Sequence, residues 1–227
     1  LDASMVGAVV IAAKIADGRV LPQAIGFRPV QVSRGRVVLM IAATWLFFVA
    51  FTFVLQAVAG KADKQKIVEE LGAHDSAFLW AVTFVMLGMV APFCEEVLFR
   101  GFVFSTLWRR IPLAPSALVT GALFGALHLG GSAPELTVAL GVFGALLCVL
   151  RAATGSIIPC IAAHALNNSL SFGFGEKSPA LAIVLMAVSC VAVAFAFGGV
   201  IARRAYTRFD ARAATLEADG SPPRSGG

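Results

Sequence analysis

Glu95 and Glu96 stand side by side in the stretch APFCEEVLFRGF, and Arg100 follows four residues after Glu96. Residues four apart share a helix face, so Glu96 and Arg100 can pair, while Glu95 points about 100° away. A glutamate left beside such a pair is suited to act as a general base. Two further polar sets lie downstream. His128 closes the run LFGALHLGG, with Phe124 one turn before it, and His164 in IPCIAAHALNN shares a face with Asn168. Each set has a bland reading of its own. The acids and Arg100 suit a charge cluster near a helix end, His128 a packed or interfacial position, and His164 with Asn168 a hydrogen bond between helices. Taken together, they predict groups gathered around one wet pocket, the arrangement that limits the cost of burying them.

The elements that must position these residues are apolar. Among 227 residues, 59% are hydrophobic and 14% charged, against about 45–50% and about 25% in soluble domains. Runs near 37–59, 77–93, 113–129, 135–151, 156–173 and 180–202 are long enough to cross a bilayer, and 96–108 continues the apolar character past the acids. The short first run, Met5 to Ala13, predicts a span that begins before Leu1. Long continuous runs exclude a membrane β-barrel, whose strands alternate. The expected fold is therefore all-α, a polytopic membrane helix bundle of about seven or eight transmembrane segments with the polar site buried in it. Residues 1–76 are expected to hold N-terminal transmembrane helices and a loop, 77–173 the catalytic core, 174–204 a C-terminal transmembrane helix, and 205–227 a disordered tail. Gly121 and Gly125 form a GxxxG pair that lets helices approach closely in lipid.

Arginines cluster at 19–36, at Arg109 and Arg110, at Arg151, and at 203–212. If 77–108 makes one net crossing, tilted or broken at Pro92, these clusters fall on one side, which the positive-inside rule makes cytoplasmic. The net charge of +5 follows from these flanks. No basic stripe with interleaved aromatics lies outside the apolar runs, so nucleic acid is not an expected partner. Cys94, Cys148, Cys160 and Cys190 form no CxxC pair and predict neither a disulfide framework nor a zinc knuckle.

Glu95-Glu96-x-x-x-Arg100, Phe124-x-x-x-His128 and His164-x-x-x-Asn168, in that order, resemble the three motifs of the CPBP family. This is the group of CAAX-protease and bacteriocin-processing proteins, also called Abi or type II CAAX prenyl endopeptidases. The stretch TGSIIPCIAAHALNN is similar to the family's approach to its third motif, and the likeness covers about 77–173. The resemblance implies an intramembrane peptidase, in a bacterial inner membrane, acting on membrane-associated protein or peptide substrates among membrane lipids. Glu95 and His128 would activate water, His164 and Asn168 would bind the developing oxyanion, and Glu96 and Arg100 would orient and hold Glu95. That division suits amide hydrolysis, which needs a base for water and donors for the tetrahedral oxygen. No cofactor is expected. Two alternatives stay open: zinc held by Glu95, His128 and His164, with Cys160, one turn before His164, read as a small packing residue rather than a further ligand, and a non-proteolytic transporter or immunity protein.

Overall fold

The structure, a computed structural model, describes residues 7, 10, 14, 25–59, 76–129, 133–175, 178 and 180–194. Apart from single positions, the expected partial span before residue 14, the loop at 60–76 and the tail at 205–227 lie outside the described residues. The described elements are helical: α1 Arg34–Ala59, α2 Ala77–Trp108, α3 Leu113–Ala126, α4 Pro134–Thr154, α5 Ile158–Gly175 and α6 Ala180–Ala194. The all-α expectation therefore holds. Three of these helices, α1, α2 and α4, are long and apolar enough to cross a membrane, and α3 and α6 are shorter apolar helices. The protein is an integral membrane protein. Helix α5 does not reach the same apolar composition because it carries His164, Asn167, Asn168 and Ser169, although most of its side chains are buried.

Helix α1 is apolar on every face, yet only 6% of its most apolar window is buried inside the chain. Val38, Leu39, Leu46, Phe47, Phe53, Val54 and Val58 are all exposed. A helix that is hydrophobic all round must be covered, and lipid is the cover this length and composition fit. Phe48 is buried, its ring tilted against that of Phe143 of α4 at 4.7 Å within a cluster that includes Leu147 and Cys160, and Met40, Ile41, Val49 and Leu55 pack against the same cluster.

Helix α2 opens on Ser76, whose hydroxyl accepts from the Leu79 N–H at 3.1 Å. Its 32 residues give a rise of about 48 Å, more than the roughly 30 Å of a hydrocarbon core. The helix does not break at Pro92. Instead, the helix widens into π turns at Met86–Val90 and Val97–Phe104, with the α-helical stretch Ala91–Glu96 between them. Such turns often occur at functional sites. Here they flank the acidic pair.

Helices α3 and α4 pack through glycine. A Cβ on Gly121 would come within 2.5 Å of Gly141 O and 2.8 Å of Ala145 N, and one on Gly125 within 2.7 Å of Thr137 O. The GxxxG pair thus works as the sequence suggested. Helix α4 starts with Pro134 and ends on Gly155, whose φ of 72° is the left-handed conformation that closes a helix. Helices α5 and α6 are joined by Ser169 and Ser189, whose hydroxyls lie 2.7 Å apart. Gly121→Ala, by pushing a methyl into the α4 backbone, is expected to cost about 1–3 kcal/mol. The thermal midpoint in detergent checks this. Ala122→Val, at an exposed position of the same helix, should leave that midpoint unchanged.

Candidate active site

Glu96 is fully buried, and two donors converge on one of its oxygens. Arg100 Nη1 donates to Oε1 at 2.7 Å, and His164 Nδ1 donates to the same oxygen at 2.8 Å. The carboxylate has no proton to give in this ion pair, which makes Nδ1 the donor. Arg100 is also fully buried, and its Nη2 donates to the carbonyl of Gly144 on α4 at 2.8 Å. Its guanidinium carbon lies 4.7 Å from the centre of the Phe124 ring on α3. A single ion pair on α2 therefore touches α3, α4 and α5.

His164 is the meeting point of the two acids. With Nδ1 committed to Glu96, its Nε2 faces Glu95 Oε2 at 3.7 Å. Phe124 and Phe143 stand edge-on to the imidazole at 5.6 Å and 5.7 Å and fix its plane. The pairing of Glu96 with Arg100 agrees with their four-residue spacing. Their hold on His164 is a partner that sequence spacing gave no hint of, because it depends on how α5 meets α2.

His128 lies in the turn just past the end of α3. Its Nδ1 donates to Phe124 O at 2.9 Å. A carbonyl only accepts, so the neutral ring carries its proton on Nδ1 and keeps the Nε2 lone pair available. His128 is half-buried. It joins the cluster through Phe124, whose ring centre is 5.1 Å from its own. Phe124 thus contacts both imidazoles and the guanidinium. The i, i+4 relation of Phe124 to His128 was visible in sequence, but the contacts of Phe124 across three helices were not.

Asn168 does something different from its neighbours. Its Nδ2 donates to Leu87 O at 2.8 Å, and the reason lies in α2. In the π turn the Ala91 N–H reaches Met86 O, a bond spanning five residues. The next bond in that register would run from residue 92 to Leu87 O, but Pro92 has no N–H. Asn168 supplies the missing donor. Burying that carbonyl unpaired would cost about 1–3 kcal/mol. One amide N–H of Asn168 is therefore engaged with backbone, and the second is left for another acceptor.

The thiol of Cys160 donates to Leu147 O at 3.3 Å and is buried in packing. Glu96, Arg100 and His164 lie within one hydrogen-bonded unit, Glu95 faces it and His128 borders it. Asn168 sits one turn along α5 from His164.

A family model, type II CAAX prenyl endopeptidase Rce1-like, matches residues 77–170. Over those residues the chain is similar to that family. The match begins at the first residue of α2 and ends within α5, so it spans every residue named above, and it agrees with the motif resemblance. That description names an endopeptidase. No curated protein and no solved structure matches the chain.

Two outcomes follow from this geometry. Arg100→Leu strands Glu96 as an uncompensated buried charge and is expected to lower stability by about 3–5 kcal/mol, read as loss of folded protein in detergent. Asn168→Ala should destabilise the native chain more than it destabilises a Pro92→Ala chain, where residue 92 regains an N–H for Leu87. A double-mutant cycle on unfolding midpoints measures this, and strictly additive effects would contradict it.

Proposed function

We propose that this protein is an intramembrane endopeptidase that hydrolyses peptide bonds of membrane-associated protein or peptide substrates. The observation that carries the proposal is His164 held between two buried carboxyl groups, within the stretch that matches an endopeptidase family. The 3.7 Å between Glu95 Oε2 and His164 Nε2 exceeds a hydrogen bond. A third oxygen beside them can therefore be addressed by both.

In this reading Glu95, assisted by His128 through its Nε2, takes a proton from water as the oxygen attacks the scissile carbonyl. His164 and the second amide N–H of Asn168 donate to the oxyanion that forms. Collapse of the tetrahedral species sends the proton to the leaving amine and returns Glu95 to its starting state. Glu96 and Arg100 are positioning residues, which hold the His164 ring with Nε2 toward Glu95. Donors already aimed at a developing charge are worth most where water is excluded.

The reading is metal-independent. Zinc is the alternative, and the donors bear on it. His164 Nδ1 is spent on Glu96, and Glu96 on Arg100 and His164. Among the described residues no group of three His, Cys, Asp or Glu side chains is arranged so that it could hold a metal ion. The remaining features follow the sequence: seven or eight crossings in a bacterial inner membrane, arginine-rich loops on the cytoplasmic side, lipids and substrate as partners, and no nucleic acid.

The test is cleavage of membrane peptides by the reconstituted protein. Glu95→Gln should fold and insert normally while losing about 10²–10⁴-fold in rate. Wild-type cleavage by that variant would overturn the base assignment. Activity should survive a strong chelator, and loss that zinc restores would establish the metal mechanism instead.

A further inference from the structure

Helix α2 ends in a basic turn that the proposed hydrolysis does not use. A surface cavity of about 260 Å³ lies there, lined by Thr106, Arg109 and Arg110. Pockets for drug-sized ligands span about 300–1,000 Å³, so this one suits a compact group. Both arginines are exposed and Thr106 is half-buried. Neither arginine has a carboxylate partner among the described residues. The helix dipole favours cations at this end. Two that line one cavity also repel each other, and an anion between them removes that repulsion.

Hydrogen bonds hold the turn in place. The carbonyl of buried Ser105 accepts from Arg109 Nε at 2.9 Å, and its hydroxyl donates to Arg100 O at 2.8 Å. Leu107 O accepts from Arg110 N at 2.8 Å and from Ile111 N at 2.9 Å. Ser116 of α3 donates to Pro112 O at 2.9 Å. Arg109 is therefore fixed through Nε, and its two Nη groups remain for a ligand.

The surroundings of the cavity are those of a membrane interface. Phe102, one turn before Thr106, is 53% exposed. Trp108 is 42% exposed and stacks on Phe104 at 5.4 Å, and tryptophan gathers where hydrocarbon meets headgroups. The 32 residues of α2 outrun the roughly 30 Å hydrocarbon core, so its last turn reaches that level. An anion held at the cavity thus stands beside apolar surface, which matches a phospholipid better than a free ion.

We propose that Thr106, Arg109 and Arg110 form a binding site for the headgroup of an anionic phospholipid, with its acyl chains against Phe102. The phosphate oxygens accept from the Nη groups of Arg109, from the Arg110 guanidinium and from the Thr106 hydroxyl. A planar guanidinium takes such an oxyanion through two parallel bonds. The bound lipid anchors the end of the helix that carries Glu95, Glu96 and Arg100. The proposal is independent of the peptidase reading.

The experiment uses the full chain in neutral detergent, titrated with short-chain phosphatidylglycerol at constant ionic strength, and reads the thermal midpoint. Phosphatidylglycerol is expected to raise the midpoint, and phosphatidylcholine of the same chain length to raise it less. Affinity should fall about fivefold in Arg110→Gln, and on the order of thirtyfold when Arg109→Gln is added. Arg34→Gln with Arg36→Gln, at exposed positions opening α1, should leave it unchanged. Should the Arg109 and Arg110 double variant fail to fold, Arg110→Gln carries the test. No shift, an equal shift with phosphatidylcholine, or an affinity that Arg110→Gln leaves unchanged would overturn the proposal. An equal loss on neutralising Arg34 and Arg36 would do the same, because it would mean diffuse attraction to surface charge. So would the same arginine-dependent shift from inorganic phosphate alone, which would make the ligand a free anion.

Discussion

The buried pair of Glu96 and Arg100 is the constraint around which the rest of the site is arranged. Two full charges removed from water are tolerable only when geometry and further hydrogen bonds satisfy them. The carboxylate meets part of this by taking His164 as a second donor at Oε1, and the guanidinium by reaching Gly144 O and lying against Phe124, while Glu96 Oε2 and Arg100 Nε have no hydrogen-bond partner among the described residues. Each of those partners sits on a different helix. The electrostatic requirement of one residue pair thus dictates how close α3, α4 and α5 must come. Glycine makes that approach feasible: Gly144 faces Phe124 without a side chain, and Gly121 and Gly125 let α3 settle against the α4 backbone.

The irregularities of α2 belong to the same arrangement. A regular helix through Pro92 would lose one hydrogen bond and meet a clash with the preceding turn. The widened turn before Ala91 removes the clash but leaves Leu87 with an orphan carbonyl, which Asn168 then caps from α5. A proline and an asparagine, 76 positions apart in sequence, are therefore halves of one backbone solution. Asn168 serves the scaffold with one N–H, and in the proposed chemistry it serves the substrate with the other.

What was legible in the sequence divides along physical lines. Local relations could be read directly. The four-residue spacings of Glu96 with Arg100 and of Phe124 with His128 became contacts, and the GxxxG pair became a close helix crossing. The apolar runs became helices because lipid imposes one backbone solution on such a segment. What could not be read was non-local or depended on backbone detail. Gly144 acts through its carbonyl, which no side-chain pattern announces. Pro92 was read as a point where α2 could break, because a proline ordinarily removes a bond that nothing replaces, and the replacement came from a distant helix. Helix α5 falls short of a spanning composition for an instructive reason: the polar residues that make it chemically useful lower its hydropathy. The whole site set, from Glu95 to Asn168, was nevertheless named from spacing and motif resemblance, and it lies within the Rce1-like stretch.

Helices α2 and α5 are stitched at two levels, Glu96 to His164 and Leu87 to Asn168. The lower number on one helix meets the higher on the other, as in an antiparallel pair. Slippage by a single turn would sever both stitches together and leave the His164 Nδ1 and the Leu87 carbonyl without their partners. The two helices consequently behave as one stiff plank. In the proposed chemistry, any breathing that lets a polypeptide reach Glu95 falls to the neighbours that the plank does not hold.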